Sequence, residues 1–126
     1  MKKIVFTLLL PIFALAITGL KKGEKVPTIK LKDIDGRAVN LKDSSNTKVI
    51  VFYRGSWCPY CVKQLESIEK DLSEKNKTNL IAISVDKPKV AKKMRDKFKF
   101  SFQVVSDPKA NSLKAFKIAN KLDDKL

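Results

Sequence analysis

The only two cysteines of the chain stand three residues apart, in the segment 57–61, Trp-Cys-Pro-Tyr-Cys. A short apolar run rich in β-branched and aromatic residues, 48–53, precedes them and predicts a buried strand. After them, apolar residues recur at helical spacing from Val62 to Leu72 and predict a helix over about 59–75. The cysteine pair is therefore predicted to lie where a core strand ends and a helix begins.

This position has chemical consequences for both sulfurs. Pro59 suits the first turn of the helix, because its missing N–H removes no helical hydrogen bond there. The free N–H groups of that turn and the helix dipole would stabilise a thiolate at Cys58, and thiolate is the nucleophilic form. Cys61 follows one turn later on the same face, within expected disulfide reach of Cys58. One sulfur can thus attack and the other can resolve the mixed disulfide.

Other uses of the two cysteines fit the sequence less well. A purely structural disulfide across so few residues closes a very small loop and gains little chain entropy. A zinc site would need further ligands, and the chain has neither a second cysteine pair nor any histidine. A c-type haem would need histidine where Val62 stands. The lack of histidine also excludes Cys-His and Ser-His catalysis, which leaves redox chemistry as the main interpretation.

The charge balance is strongly basic, with 27 Lys+Arg against 13 Asp+Glu and a formal net charge of +14 over 126 residues. The lysines are scattered through every segment, with no basic stripe interleaved with aromatic residues, so no nucleic-acid partner is expected. A lysine-rich solvated surface is the simplest interpretation. Weak attraction to an anionic membrane surface or to acidic partners stays open.

Residues 1–19 are predicted to be a secretory signal peptide. A basic start is followed by an apolar stretch over 4–17 and by the small-residue site Ala14-Leu15-Ala16, which places cleavage after about Ala16. An uncleaved N-terminal anchor is the alternative, although the apolar stretch is short for a bilayer span. We therefore expect an exported protein, periplasmic or secreted, in a compartment where disulfides persist.

The remaining sequence alternates between predicted strands and helices. The predicted elements are a hairpin over 27–43 with a turn at Asp35-Gly36, strands over 48–53, 79–85 and 102–105, and helices over 59–75, from Pro88 and after 106–108. The predicted inward-facing residues of the last two helices are Val90, Ala91, Met94 and Phe98, and Ala110, Leu113 and Phe116. A β-β-β-α-β-α-β-α order of this kind predicts an α/β protein with parallel strands.

The string 52–61, Phe-Tyr-Arg-Gly-Ser-Trp-Cys-Pro-Tyr-Cys, resembles the thioredoxin superfamily. It is most similar to the peroxiredoxin-like branch of the alkyl hydroperoxide reductase/thiol-specific antioxidant (AhpC/TSA, redoxin) family. Segments 26–36 and 105–108 agree with this resemblance, which covers about residues 23–126. It implies an α/β thioredoxin-like fold with a central mixed sheet flanked by helices. The cis-proline loop and final hairpin of that family have no match here, so we expect a C-terminally incomplete domain.

The resemblance implies an exported oxidoreductase that reduces peroxides through its CxxC pair, with no cofactor beyond an external reducing thiol protein. Thiol-disulfide exchange with a disulfide substrate is the alternative, and an inactive truncated remnant or a basic binding surface is a third. Thioredoxin-like members attack with the first cysteine, here Cys58. Some peroxiredoxins attack with the cysteine nine residues after the Phe of a Phe-Tyr pair, here Cys61. The position at the helix start favours Cys58 as nucleophile and Cys61 as resolving thiol.

Four neighbours are candidate supporting residues: Arg54, Trp57, Pro59 and Tyr60. Arg54 either lowers the thiol pKa and stabilises a peroxide oxygen or is a solvated charge. Trp57 either flanks the active thiol, as in the resembling families, or is a packing residue, and Tyr60 is expected to be exposed to partners. Thioredoxins carry a buried Asp on the strand before the motif, and the segment 49–52 has no acid. Help for deprotonating Cys61 is therefore expected from water or a lysine.

Overall fold

The structure is a computed structural model that describes residues 19–42, 47–74 and 79–119, with the backbone alone for 72–74. Its elements are β1 (Leu31–Lys32), β2 (Ala38–Val39), β3 (Lys48–Phe52), α1 (Pro59–Glu74), β4 (Asn79–Ser84), α2 (Pro88–Phe98), β5 (Gln103–Ser106) and α3 (Asn111–Ala115). The predicted element order is confirmed. The predicted signal peptide, apart from Gly19, lies outside the described residues. Within the described ranges, no helix is long and apolar enough to cross a membrane.

Strands β3, β4 and β5 form a parallel sheet in that spatial order, with β4 in the centre. The alternation of side chains along β4 divides the core in two. Leu80 and Ala82 join the cluster under α1 and α2, whereas Ile81 and Ile83 join the cluster under the hairpin and Phe116. Because both faces are covered, β4 is apolar along most of its length, as parallel strands usually are.

The hairpin of β1 and β2 is antiparallel and much shorter than predicted, with Leu31 opposite Val39. A buried carboxylate organises its turn: Asp33 accepts hydrogen bonds from the backbone N–H of Asp35 and Arg37 and from the Gln103 amide. Burial opposes ionisation of Asp33, but the bonds from Gln103 and Arg37 outweigh it and lower the pKa of this carboxyl. An antiparallel bridge from Asp33 to Val105 adds the hairpin to the parallel sheet, which accounts for its mixed character.

The first strand of the parallel sheet corrects one prediction. β3 is only partly buried, and Val49 is 42% exposed, although the apolar run predicted a buried strand. The reason is its place in the sheet. Within the described residues β3 pairs with β4 on one side only, so its outer side lacks a neighbouring strand that would cover it.

The last two helices correct further predictions, about which residues face the core and where a helix begins. Ala91 and Met94 face the core from α2 and Phe98 packs against it, but Val90 is 43% exposed. The third helix begins at Asn111, later than predicted, because Ala110 has a left-handed backbone with φ of 53°. The Asp107 carboxylate still bonds the backbone N–H and hydroxyl of Ser112. Ser112 is the buried residue of this helix, and Leu113 and Phe116 are only partly buried.

Candidate active site

Cys58 occupies the residue directly before α1, where a helix cap is needed. Its carbonyl accepts the backbone N–H of Val62 at 3.1 Å, and its Sγ accepts the backbone N–H of Cys61 at 3.3 Å. Pro59 is the first helical residue, as predicted. The sulfur therefore stands where Ser, Asp or Asn usually caps a helix, among donors that favour negative charge.

The two sulfurs are joined as a disulfide, and the Cα atoms of Cys58 and Cys61 are 5.3 Å apart. The two cysteines differ in exposure: Cys58 is buried, with 6% of its surface exposed, whereas Cys61 is half-buried and packs against the core under α1 and α2. Capping thus favours the thiolate at Cys58, and accessibility favours Cys61. The two observations therefore favour different cysteines as the one that attacks first.

The loop between β3 and the cysteines is fixed by a carboxylate from another loop. Asp86 is buried just after β4, and its Oδ2 accepts the backbone N–H of Ser56 at 2.7 Å and the hydroxyl of Ser84 at 3.3 Å. Gly55 makes this approach possible. Its φ is +156°, and a Cβ there would lie 2.9 Å from Asp86 Oδ1 and 2.5 Å from Trp57 Nε1. The Cys58 N–H then bonds the Gly55 carbonyl at 3.1 Å, so Asp86 positions the residues that lead into Cys58.

The predicted supporting residues form an exposed surface beside the disulfide. The Arg54 guanidinium lies 4.7 Å from the centroid of the Trp57 ring, and Trp57 is 61% exposed. Trp57 is therefore not a core packing residue, and it holds Arg54 by a cation–π contact. Tyr60 is 86% exposed, in agreement with its prediction, and Pro59 is exposed as well.

Tyr53, directly after β3, is buried under this loop. Its hydroxyl is the one buried side-chain oxygen or nitrogen without a hydrogen-bond partner in the described part of the chain. Burial raises the pKa of the Tyr53 hydroxyl; the nearby Ser84 hydroxyl lowers it and the negative charge of Asp86 raises it, and the net shift is upward. The phenol is thus held neutral below the cysteine loop.

Asp86 is the site residue that the sequence analysis missed. The strand before the cysteines contains no acid, and the sequence alone therefore predicts help from water or a lysine. A signal was available, because Ser84-Val85-Asp86 ends the next strand and Phe52 pairs with Ile83. The carboxyl ends of adjacent parallel strands meet at one edge of a sheet. An acid after β4 therefore falls beside the loop after β3.

The fold and site define a thioredoxin-fold protein with a cysteine pair at a helix start. Peroxiredoxin Q of Xanthomonas campestris superposes with a TM-score of 0.69 at 22% identity, over 77% of this chain and 63% of that one, which supports the fold. Residues 22–125 match the AhpC/TSA family. The chain belongs to the AhpC/TSA family of thioredoxin-like proteins, as its sequence suggested.

Three curated relatives come from bacteria. A candidate peroxiredoxin of Mycobacterium tuberculosis is 35% identical over 79% of this chain and 65% of its own length. Peroxiredoxin Bcp of Escherichia coli K12 is 33% identical over 70% of this chain and 58% of its own. Thiol-disulfide oxidoreductase ResA of Halalkalibacterium halodurans is 25% identical over 78% and 57%. The chain thus spans less than two thirds of the length of each.

Proposed function

We propose that this protein is a thiol-dependent oxidoreductase that reduces peroxides with the Cys58–Cys61 pair. One observation carries the proposal: Cys58 caps α1, and its sulfur accepts the N–H of the cysteine to which it is bonded. A cap position lowers a thiol pKa, and a partner one helical turn away keeps the resolving step intramolecular. The similarity to proteins named as peroxiredoxins supports peroxide as the substrate.

The proposed reaction has three steps. The Cys58 thiolate attacks one peroxide oxygen; the O–O bond breaks, Cys58 becomes a sulfenic acid, and the other oxygen leaves as an alcohol or as water after taking a proton. The Cys61 thiolate then attacks the Cys58 sulfur, which forms the disulfide and releases water. An external thiol protein finally donates two electrons and two protons, reopening the disulfide without a further cofactor.

Thiol-disulfide exchange is the second candidate. The spacing of the two cysteines and their place at a helix start suit attack on a substrate disulfide, and the similarity to a thiol-disulfide oxidoreductase favours it. In that reaction Cys58 forms a mixed disulfide with the substrate, and Cys61 displaces the substrate thiol. Under either candidate, the predicted signal peptide leads us to propose that the protein works outside the cytoplasm.

Two assays on the reduced full-length chain separate these candidates. One mixes the protein with hydrogen peroxide and the other with insulin plus a small thiol, while mass spectrometry follows the Cys58–Cys61 disulfide. Rapid disulfide formation by peroxide, at one disulfide per peroxide consumed, supports the peroxidase. Insulin reduction without a peroxide response supports disulfide exchange. If neither reaction occurs in a protein that is folded by circular dichroism, the proposed function is wrong.

Cys61→Ser provides the matched control for the order of attack. If Cys58 attacks first, Cys61→Ser still consumes one equivalent of peroxide and accumulates a sulfenic acid at Cys58, which a dimedone-type reagent traps. Cys58→Ser then yields no adduct. The reverse pattern, with the adduct at Cys61, would assign the peroxidatic role to Cys61 and leave Cys58 as the resolving thiol.

A further inference from the structure

A groove runs between α1 and α2 and begins beside the cysteine pair. Its volume is about 420 Å³, and Ser56 and Pro59, which flank the cysteine loop, line one end. Its apolar lining consists of Val62, Val90, Met94 and Phe98. Val90 is one of the α2 residues predicted to face the core. It is exposed because it faces this groove instead.

The α2 side of the groove carries cations that lack acidic partners in the described part of the chain. Lys93 and Lys97 line the groove, and Lys89 precedes them at the same helical spacing. The other cations of α2, Lys92 and Arg95, are paired with Asp35 on the hairpin turn. The Lys97 ammonium lies 5.2 Å from the centroid of the Phe98 ring, so positive charge sits directly over the apolar floor.

The opposite side, on α1, has one acid in the lining. This acid is Glu66, and the lining also contains two cations, Lys93 and Lys97, so its net charge is positive. Ser56 and Pro59 line the end of the groove near the cysteines, and their chain neighbours Trp57 and Tyr60 are exposed aromatic residues. An apolar slot with a cationic side and aromatic neighbours is complementary to an apolar side chain that has carboxylates beside it.

We propose that this groove binds an acidic, extended segment of the protein that exchanges disulfides with the Cys58–Cys61 pair. An apolar side chain of the segment inserts between α1 and α2, and neighbouring Asp or Glu side chains pair with Lys93 and Lys97. The proposal rests on the proposed function, since the occupant is its redox partner. The concave slot favours a peptide over a membrane, because a flat lipid surface would contact the sides of the groove and leave its floor empty.

Docking here would serve the chemistry by placing the partner next to the reactive sulfurs. The groove ends at Ser56 and Pro59, on either side of Cys58 along the chain. A cysteine near the anchored side chain would therefore stay close to the pair and react in an effectively intramolecular step. In peroxidase turnover a thiolate of the segment attacks Cys58 of the disulfide, a mixed disulfide forms and Cys61 leaves as a thiolate; a second thiol of the partner then attacks the segment's sulfur and releases Cys58. In disulfide exchange the same mixed disulfide forms when the Cys58 thiolate attacks the segment's disulfide, and Cys61 then displaces the segment's thiolate.

The test uses the full-length chain and a ten-residue fluorescent peptide with one leucine between two pairs of glutamates. Fluorescence anisotropy measures binding of a cysteine-free version. A second version carries one cysteine as a mixed disulfide with a chromogenic small thiol, whose release by the reduced protein gives the rate of attack. Lys93→Glu/Lys97→Glu should weaken binding and slow this attack about 10-fold or more, because two attractive pairs become repulsive.

The matched control is Lys22→Glu/Lys25→Glu, which makes the same change in net charge at exposed lysines outside the groove. This control should change the affinity for the peptide and the rate of attack less than 2-fold. If Lys93→Glu/Lys97→Glu proves unfolded by circular dichroism, Lys93→Gln/Lys97→Gln takes its place and should give an intermediate loss. Equal losses in the groove and control variants would overturn the proposal, because they would show an effect of bulk charge. Unchanged binding in the folded groove variants would overturn it as well.

Two further arms keep this proposal distinct from the proposed function. A small uncharged chromogenic disulfide reports whether the cysteines react at all. If the reduced protein does not react with this disulfide while the peptide binds through Lys93 and Lys97, the groove proposal is supported and the proposed function is wrong. Vesicles of phosphatidylglycerol form the last arm. Loss of vesicle binding in Lys93→Glu/Lys97→Glu, with peptide binding unchanged, would identify a membrane-facing surface and overturn the proposal.

Discussion

Two helices begin at the same edge of the parallel sheet, and each has proline as its first residue. Before α1 the cap is Cys58, whose sulfur accepts a backbone N–H of the first turn. Before α2 the cap is Lys87, which has an extended backbone and no side-chain bond to the helix. The elements are alike, and the difference lies in the cap and in the loop that leads to it. Reactivity is thus expected at the helix start whose cap is a sulfur.

The loops before the two caps also differ in how they are held. The longer one, 53–58, contains a glycine with positive φ, a buried phenol and a backbone N–H bonded to Asp86. The shorter one, 85–87, supplies that carboxylate. Its first residue, Val85, is exposed where Tyr53 of the longer loop is buried. The loop before α2 therefore helps to hold the loop before α1 in place.

Gly55→Ala should have the largest effect on stability. A Cβ would meet Asp86 Oδ1 at 2.9 Å, and φ of +156° is unfavourable for alanine. We expect a loss of about 2–3 kcal/mol in the free energy of unfolding, measured by urea denaturation. Val85→Ala in the other loop should lose less than about 0.5 kcal/mol, as exposed substitutions usually do. Equal losses would mean that the two loops do not differ in strain.

Asp86→Ala should rank second, although the residue belongs to the shorter loop. The change leaves the Ser56 N–H without its acceptor, which costs about 1–2 kcal/mol in the free energy of unfolding. Amide hydrogen exchange at Ser56 should accelerate with it. Asp96→Ala serves as control, because it removes an exposed acid whose one bonding partner among the described residues is its neighbour Arg95. Unchanged exchange at Ser56 in Asp86→Ala would show that the carboxylate does not hold the loop.

Tyr53→Phe should stabilise the protein by about 1 kcal/mol, because it removes a buried hydroxyl that lacks a partner. The gain should also depend on pH. The folded-state pKa of Tyr53 is raised by burial and by Asp86, so its contribution to stability is complete below the unfolded value of about 10. It is lost as the pH rises through the raised pKa. Urea titrations at several pH values should show the gain growing above about pH 10.

Lys87→Ser should have the smallest effect on stability. Unlike the Gly55 and Asp86 variants it should stabilise the protein, because it gives α2 the side-chain cap that it lacks. We expect about 0.5 kcal/mol of added stability in the urea midpoint, since a serine oxygen can accept an N–H of the first turn. Peroxide or insulin activity should not change. A change in activity would contradict the view that reactivity depends on the cap of α1 alone.

Features that depend on residues close together in the chain were predicted correctly, and features that depend on residues far apart in the chain were missed. Pro59 and Pro88 marked both helix starts, because a proline at the first helical residue is a local signal. The exposure of Val90 and the approach of Asp86 to Ser56 were missed, because each depends on how two elements separated in sequence come together. Helical spacing identifies which residues share a face of α2, but it does not reveal that α1 leaves part of that face open.

The hairpin turn has a consequence for the order in which this chain can fold. Asp33 lies near the start of the described chain, yet its carboxylate is completed by Gln103, 70 residues later. The parallel strands join neighbours over shorter loops, which close at a smaller entropic cost. We therefore expect β1 and β2, although they precede the parallel strands in the chain, to become fixed only after β5 has formed the surface on which they pack.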